Sequence, residues 1–468
     1  AYRFPGQRVL EWALVLPLAM PAYVMAYAYT DWLQFTGPVQ TALRAATGWQ
    51  AREYWFPEIR SIPGAAAMLS FAFYPYVYLL ARTAFLDVSR SALEAGRLAG
   101  YSAWGSFWRV ALPIARPAVM AGAALALMET LADFGTVSYF ALEVFTTGIF
   151  KAWLSMGDTA AAGQLSVCLL AFVVVVLALE RANRGRAAYA SASRKPTPPQ
   201  RLSGAAAASA FAACAAPVLL GFLLPAGLLA HLVWSDSGVR WSARLLSLVG
   251  NSFMLAGIAA ATGVLLATSM AYAARLSRGR MATAVSWANR AAALGYAIPG
   301  AVIAIGVLVP LGRLDNWIAG GIETAFGVKP GLLLTGTIVA LVYAYLVRFL
   351  AVALQTMEAG LAKVTPRMDD AARSLGATPA GTLARVHVPL LASSIASAAL
   401  LLFVDVMKEL PATFALRPFN FDTLAIEAYN LAKDERLAEA AMPSLVIVAI
   451  GLVPVLVVVK RYFQATRS

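Results

Sequence analysis

The sequence predicts an all-α membrane protein built from two pseudo-symmetric copies of one helical bundle. Sixty per cent of its residues are hydrophobic and 13% are charged, whereas soluble domains are about half apolar and about a quarter charged. The segment 94–113 recurs as 370–389 at an offset of 276, which holds without a gap to Asp158 and Asp434 with 13 identities over 65 positions. A repeat this long indicates duplication of a whole domain, not a short-period solenoid.

Many apolar runs reach the ~20 residues that a helix needs to cross a ~30 Å hydrocarbon layer. The runs do not alternate in polarity, which favours helices over barrel strands. Ten spans are predicted: 9–29, 62–86, 110–134, 159–179, 211–234, 250–275, 286–311, 330–355, 388–412 and 441–459. We expect Pro17, Pro21 and Pro299 to kink or to start helices.

The two copies are unequal in length. Leu-Ala-Met-Pro at 18–21 matches Tyr-Ala-Ile-Pro at 296–299, and only in the second half do two spans precede this point. We therefore expect that two N-terminal helices of the first copy are absent from the sequence shown, so that the full-length protein has 12; a natural four-plus-six protein is the alternative. The predicted domains are a first copy at 1–180, a proline-rich linker at 181–204 and a second copy at 205–468.

The distribution of Lys and Arg predicts the orientation, because these residues concentrate in cytoplasmic loops. One set of loops, which includes the linker, the C-terminus and both repeated segments, is strongly basic, whereas the opposite set mixes both signs. We therefore expect the repeated segments to face the cytoplasm. The net charge of +13 is explained by this bias and by contact with anionic lipid, so nucleic-acid binding is not expected.

Each repeated segment combines an acidic residue, two small residues and a glycine six positions after the acid. These residues are Glu94, Ala95, Gly96 and Gly100 in the first copy and Asp370, Ala371, Ala372 and Gly376 in the second. The small residues allow another surface to approach closely, and each glycine is placed to end a short helix, since glycine accepts the left-handed conformation. Two such segments related by pseudo-symmetry predict docking onto a two-fold partner.

This pattern resembles the EAA loop of ABC-importer permeases, E-A-A-x-x-x-G followed by x-L-P. The resemblance implies a coupling helix that fits a groove in an ATP-binding subunit, with Glu94 and Asp370 at the interface and two copies of that subunit as partners. The chain departs from the pattern at Gly96 and Asp370. None of its seven lysines follows a glycine, so a P-loop is missing from the sequence. ATP hydrolysis is therefore expected on the partner, and we expect this chain to be neither an enzyme nor a cofactor-binding protein.

Further stretches resemble the fused permeases of ferric-iron importers: 56–61, 127–140, 145–150, 408–413 and 417–425. The resemblance implies a multi-pass protein of the bacterial inner membrane that carries Fe³⁺ from a periplasmic iron-binding protein into the cytoplasm. The outer loops 30–61, 136–157 and 413–440 are expected to receive that binding protein. Thiamine permeases share the fused layout and are the alternative within the class.

Four acidic residues are candidates for an ion pathway. They form two repeat-related pairs with a spacing of four, Glu129 and Asp133 in the first copy and Asp405 and Glu409 in the second, so each pair lies on one helix face. Ionisable groups inside spans are costly and usually face the bundle interior or a water-filled path, and carboxylates suit hard cations. Capping of helix ends, or pairing with Lys408 or Arg417, is the alternative.

Other protein classes explain the sequence less well, and the two histidines are weaker candidates for a functional site. An ion-coupled secondary transporter also uses internal repeats but needs no ATPase-docking segment, and a membrane scaffold leaves the intramembrane acids unexplained. His231 and His387 have no partner at metal-ligand spacing, so no fixed metal site is predicted. His387, beside Pro389, is expected in a loop.

Overall fold

The computed structural model describes residues 2–50, 53–88, 90–184, 200–235 and 242–465. These residues are helical apart from loops and two short strands, Tyr2–Arg3 and Gln200–Arg201, which pair in parallel with Tyr2 opposite Gln200. The predicted all-α class is therefore confirmed. Residues 185–199, which make up most of the predicted linker, lie outside the described part of the chain.

The chain forms two compact units, and the units do not follow the order of the two sequence copies. Unit 1 comprises residues 1–147, 168–239 and 431–468, and unit 2 comprises 148–167 and 240–430. Unit 1 thus includes the first and the last helix of the second sequence copy. The predicted boundaries 1–180, 181–204 and 205–468 describe the covalent repeat and stay a prediction.

Unit 1 consists of the two short strands and a series of helices, some of which are joined by short 3₁₀ or π turns. In chain order they are Gln7–Ala13, Leu16–Ala19 (3₁₀), Ala22–Leu33, Pro38–Thr47, Ile62–Asp87, Arg90–Leu98, Ala103–Ser106, Phe107–Ala111 (π), Leu112–Ala132, Gly135–Tyr139, Gly204–Val218, Leu219–Leu223 (π), Leu224–Ser235 and Leu437–Ala465. Three helices begin in one unit and end in the other, namely Phe145–Phe150, Thr159–Arg184 and Leu424–Lys433.

Unit 2 repeats the same kinds of element. Its helices are Lys151–Ser155 (π), Ala243–Leu276, Gly279–Leu294, Gly295–Ala297 (3₁₀), Gly300–Phe326, Ile338–Leu361, Pro366–Ser374, Pro379–Thr382, Leu383–His387 (π), Val388–Leu390, Ala392–Met407 and Pro411–Leu416.

Among the described residues, eight helices are long and apolar enough to cross a membrane: Ile62–Leu86, Ala103–Ala132, Thr159–Ala182, Gly204–Ser235, Ala243–Leu276, Gly300–Phe326, Ile338–Leu361 and Leu437–Val457. Two bent pairs, Gln7–Ala19 with Ala22–Thr47 and Pro379–Leu390 with Ala392–Met407, bring the number to the predicted ten if each pair is one span. The predicted span 286–311 is wrong in its bounds, because a separate helix ends at Leu294 and a new one starts at Gly300.

Proline produces the same break in both copies. A 3₁₀ turn precedes Pro21 and Pro299, and each proline is the N-cap of the helix that follows. Proline is favoured at such starts because it has no N–H to satisfy and its φ angle is already near the helical value. The expectation that these prolines start helices is confirmed.

Small residues let the long helices approach closely, as is typical where lipid removes the hydrophobic drive for helix association. In unit 1, a Cβ placed on Gly122 would lie 2.6 Å from Cα of Val77. The repeat-related positions in unit 2 are Ala398 and Ala353, and both alanines are fully buried. The first copy thus has a glycine and a valine at these two positions, and the second copy has two alanines.

Substituting Gly295 by alanine is expected to disrupt unit 2. A Cβ at this position would lie 1.8 Å from the backbone oxygen of Val347, and backbone cannot move aside as a flexible side chain can. We expect a loss of about 3 kcal/mol or more of stability, measured as a lower thermal midpoint and yield of monodisperse protein in detergent. Gly306→Ala is the matched control, because no atom lies within 4 Å of its added methyl. Equal behaviour of the two variants would contradict this packing.

Candidate functional site

The two repeated segments fold alike. Repeat helix 1 is Arg90–Leu98 and repeat helix 2 is Pro366–Ser374. Each is followed by a glycine with positive φ, +81° at Gly100 and +80° at Gly376. The prediction that these glycines end short helices is confirmed, since this left-handed conformation is the one that terminates a helix at low cost.

The hydrogen bonds at the ends of the repeat helices are also equivalent. The N–H of Tyr101 donates to the carbonyl of Gly96 at 3.1 Å, and the N–H of Ala377 donates to that of Ala372 at 3.0 Å. Both are the six-to-one bonds of a Schellman motif. The hydroxyls of Ser102 and Thr378 then cap the next helical turn. The repeat therefore encodes one backbone structure twice.

Exposure divides the predicted docking residues into two groups in the same way in both copies. Glu94, Ala95, Asp370 and Ala371 are exposed, whereas Gly96 and Ala372 are buried. Each repeat helix also presents a leucine near its C-terminal end, Leu98 at 91% and Leu375 at 87% exposure. Each outer face thus combines an acid, a small residue and an apolar side chain.

Repeat helix 2 carries a polar cluster that the sequence analysis missed. We call Tyr272, Arg275, Asp369 and His387 the Asp369 cluster. Arg275 Nε donates to Asp369 Oδ2 at 2.8 Å, and His387 Nε2 lies 2.6 Å from Asp369 Oδ1. The expectation of a loop position for His387 is wrong, because its side chain is fully buried in a π-helical turn.

Comparison of the two copies contains the signal for this cluster. Asp369 and His387 replace Leu93 and Ala111 at the 276-residue offset. Two positions that are apolar in the first copy thus carry an acid and a histidine in the second. This change indicates a polar contact that the first copy lacks at these positions. The partner Arg275 is 94 residues from Asp369 and cannot be identified from the repeat.

Asp133 and Glu409 cap helices at equivalent positions. Asp133 Oδ2 accepts from the N–H groups of Thr136 and Val137 at 3.1 and 3.2 Å. Glu409 accepts from those of Ala412 and Thr413, both at 3.0 Å. Capping of helix ends, the alternative to an ion pathway, is therefore present for both residues.

Glu409 also forms a buried ion pair. Arg348 Nη1 donates to Glu409 Oε1 at 2.9 Å, with side chains 11% and 1% exposed. Such a pair is costly to break, because the remaining charge would be buried without a partner. Glu409 is thus bound by one cation, two backbone N–H groups and the Thr413 hydroxyl, which donates at 2.7 Å.

The other two acids are less enclosed. Glu129 and Asp405 are half-buried on the spans that precede the caps. Asp405 pairs with Lys408 at 2.9 Å, which was the second alternative left open. Among the described residues, no three His, Cys, Asp or Glu side chains lie close enough to hold a metal ion. A role of the four acids in an ion pathway stays a prediction.

Three predicted outer loops meet within unit 1 at Arg60. Its guanidinium donates to Glu435 at 2.7 Å and to the Tyr139 hydroxyl at 3.3 Å, and it lies 4.9 Å from the centre of the Tyr139 ring. These residues belong to the segments 30–61, 136–157 and 413–440. One cation therefore holds together parts of all three segments.

Comparison with known proteins gives consistent matches. Residues 1–184 match the family model described as binding-protein-dependent transport system inner membrane component. The chain is 25% identical to the Fe(3+)-transport system permease protein FbpB 2 of Haemophilus influenzae, over 99% of this chain and 84% of that protein.

Two further relatives match about half of the chain or less. The putative 2-aminoethylphosphonate transport system permease protein PhnV of Salmonella typhimurium is 30% identical over 49% of this chain and 78% of that protein. The sulfate transport system permease protein CysT of Escherichia coli is 27% identical over 38% of this chain and 64% of that protein. With its membrane-length helices and two equivalent repeat helices, the chain belongs to the family of inner-membrane permease components of binding-protein-dependent transport systems.

Proposed function

We propose that this chain is the permease subunit of an ABC importer that moves ferric iron from a periplasmic binding protein into the cytoplasm. The observation that carries this proposal is the extent of the match to the Fe(3+)-transport permease, which covers 99% of the chain. The phosphonate and sulfate permeases match 49% and 38% of it. ATP is hydrolysed on a partner subunit, and this chain binds no cofactor of its own.

Two copies of the ATP-binding subunit dock on the repeat helices, one on each. The exposed acids Glu94 and Asp370, with the small residues beside them, support this role because a partner can approach the backbone closely. Leu98 and Leu375 supply apolar area at each contact. The repeat helices, the linker and the C-terminus face the cytoplasm, in agreement with the excess of Lys and Arg in these loops.

The binding protein docks on the opposite side, on the three outer segments that include Arg60, Tyr139 and Glu435. The ion pair between Arg60 and Glu435 gives these segments a fixed geometry within unit 1. Because both side chains are partly exposed, this pair contributes only about 1 kcal/mol or less. Its value for docking lies in holding the segments together.

Glu129 and Asp405 are the proposed contacts of the ion in transit. Asp133 and Glu409 follow them by four residues and belong to the same two predicted pairs. Their bonds to backbone N–H groups give them a structural role in addition. Carboxylate oxygens are hard ligands that suit Fe³⁺, and no step of transport requires the ion to remain bound to them.

Charge reversal of both docking acids is expected to separate the subunits. The variant Glu94→Arg with Asp370→Arg should lower the affinity for the ATP-binding subunit at least about tenfold, since removing one partner of a buried interfacial charge pair costs about 2 kcal/mol or more. Co-purification and titration of the purified subunits measure this change.

The control for charge reversal is Glu323→Arg. Glu323 is exposed and lies on the helix Gly300–Phe326, which is not part of either repeat helix. Its variant should bind the ATP-binding subunit as the wild type does. Full binding by the Glu94 and Asp370 double variant would contradict docking on the repeat helices.

The four acids are expected to separate into two classes on neutralisation. Glu129→Gln with Asp405→Asn should abolish iron uptake into proteoliposomes while the thermal midpoint and assembly remain normal. Asp133→Asn with Glu409→Gln should lower the midpoint, because helix caps and a buried ion pair are lost. Normal iron uptake by the variant that neutralises all four acids would disprove the pathway.

The substrate is tested by stimulation of ATP hydrolysis. The complex of this chain with its ATP-binding subunit is reconstituted, and binding protein is added with Fe³⁺, thiamine, sulfate or 2-aminoethylphosphonate. We expect stimulation with iron only, because in the proposed importer the iron-loaded binding protein is what triggers ATP hydrolysis on the partner subunit. Stimulation by another ligand in place of iron would assign that substrate. Transport without any ATP-binding subunit would indicate a secondary transporter.

A further inference from the structure

The two repeat helices have the same backbone but different attachments to the rest of the chain. We propose that the Asp369 cluster is a positioning element for repeat helix 2, and that the two ATPase-docking sites are therefore unequal in how they transmit motion. This proposal rests on the docking function proposed above and adds the residues that connect one docking helix to its spans.

Arg275 joins three elements of unit 2. It lies in the last turn of the helix Ala243–Leu276 and donates from Nε to Asp369 on repeat helix 2. Its other nitrogens donate to the carbonyls of Leu361 and Val364, at 3.0 and 2.8 Å. The second helix, Ile338–Leu361, ends there, and its last carbonyls have no partner within the helix. One guanidinium thus links two spans to the docking helix.

His387 attaches repeat helix 2 to the segment that follows it. The ionised carboxylate of Asp369 has only acceptors, so His387 Nε2 carries the hydrogen of their 2.6 Å contact. The imidazole is fully buried, and its ring centre lies 5.2 Å from that of Tyr272. The Tyr272 hydroxyl donates to the carbonyl of Pro379 at 2.9 Å. The cluster therefore holds both repeat helix 2 and the helix that follows it.

The charge on Asp369 strengthens these contacts. Burial raises the pKa of Asp369, but hydrogen bonds from Arg275 and His387 outweigh it, so the pKa lies below its usual value. Asp369 is therefore ionised at neutral pH, and its bonds are charge-assisted, which makes them shorter and stronger than neutral ones. The side chains of Arg275 and Asp369 are only 18% and 21% exposed, so solvent screens them weakly.

The side-chain bonds of Asp369 and His387 cannot form at the equivalent positions of the first copy, because Leu93 and Ala111 stand there. Leucine and alanine contribute packing without fixed direction, whereas the helix end, the cap and the π turn are the same in both copies. A small displacement of repeat helix 2 must move the ends of both attached spans with it. In the first copy, Leu93 and Ala111 provide no such charge-assisted link at these two positions.

The test gives the second copy the residues of the first. The variant Asp369→Leu with His387→Ala is assembled with the ATP-binding subunit and compared with the wild type in binding affinity, basal ATP hydrolysis and hydrolysis with loaded binding protein. We expect normal affinity and normal basal hydrolysis. Stimulation by the binding protein should fall at least about fivefold, the lower end of typical coupling between sites.

Two further variants make the result decisive. Asp369→Glu keeps the charge and should restore most of the stimulation, which a loss of packing alone would not allow. Leu93→Asp with Ala111→His at the repeat-related positions is the matched control and should not reduce binding of the ATP-binding subunit to the second site. If Asp369→Leu with His387→Ala is unstable in detergent, the isosteric variant Asp369→Asn replaces it with the same expected loss of stimulation.

The outcomes separate this proposal from the proposed function. Wild-type protein that does not bind an ATP-binding subunit would overturn the docking function itself. Binding with stimulation unchanged in both Asp369→Leu with His387→Ala and Asp369→Asn would overturn the positioning role alone. Equal loss of binding and of stimulation would also overturn it, because the cluster would then act on the docking surface and not on coupling.

Discussion

The fold depends on satisfying backbone groups wherever a helix breaks in an environment with little water. An unpaired buried N–H group costs about 1–3 kcal/mol, and a bilayer offers no water to replace the missing partner. Asp133 and Glu409 meet this requirement at the starts of Gly135–Tyr139 and Pro411–Leu416, where each carboxylate accepts two N–H groups. These acids are fixed by the backbone that they cap, whatever part they take in transport.

The same constraint explains charged groups at other chain breaks. Asp315 is fully buried and accepts the N–H groups of Leu333, Leu334 and Thr335 at 2.7 to 3.1 Å, in the loop before the helix Ile338–Leu361. Arg275 does the converse at the end of that helix by donating to carbonyls. An anion thus binds the loop that leads into this span, and a cation binds the carbonyl of its last residue. Both charges have the sign that complements the helix dipole.

The sequence could predict those features that depend on interactions between residues close together along the chain. Most membrane spans, the starts at Pro21 and Pro299 and the stops at Gly100 and Gly376 depend on local residues, and the sequence identified them. The span 286–311 was predicted with wrong bounds, because one helix ends at Leu294 and the next begins at Gly300. The pairs Arg275–Asp369 and Arg348–Glu409 join residues 94 and 61 positions apart, so only the folded chain shows them. The position of His387 was predicted wrongly because its partner lies on another helix. Which segments make up each compact unit also depends on packing between helices. The order of the segments along the chain does not reveal this packing.

Comparison of the two copies shows which features of a repeat are free to change. Residues that set the backbone, such as Gly100 and Gly376 or Pro113 and Pro389, are identical. Polar contacts between helices keep their place but exchange their chemistry: Glu11 pairs with Arg82 in one copy, and Asn289 donates to Glu358 at 3.0 Å in the other. These four residues correspond at the offsets of 278 and 276. A duplicated backbone can therefore acquire different charges at equivalent points without loss of structure, because each contact needs only a matched donor and acceptor. The Asp369 cluster is the same kind of exchange at a docking helix, where a difference in attachment also becomes a difference in mechanics.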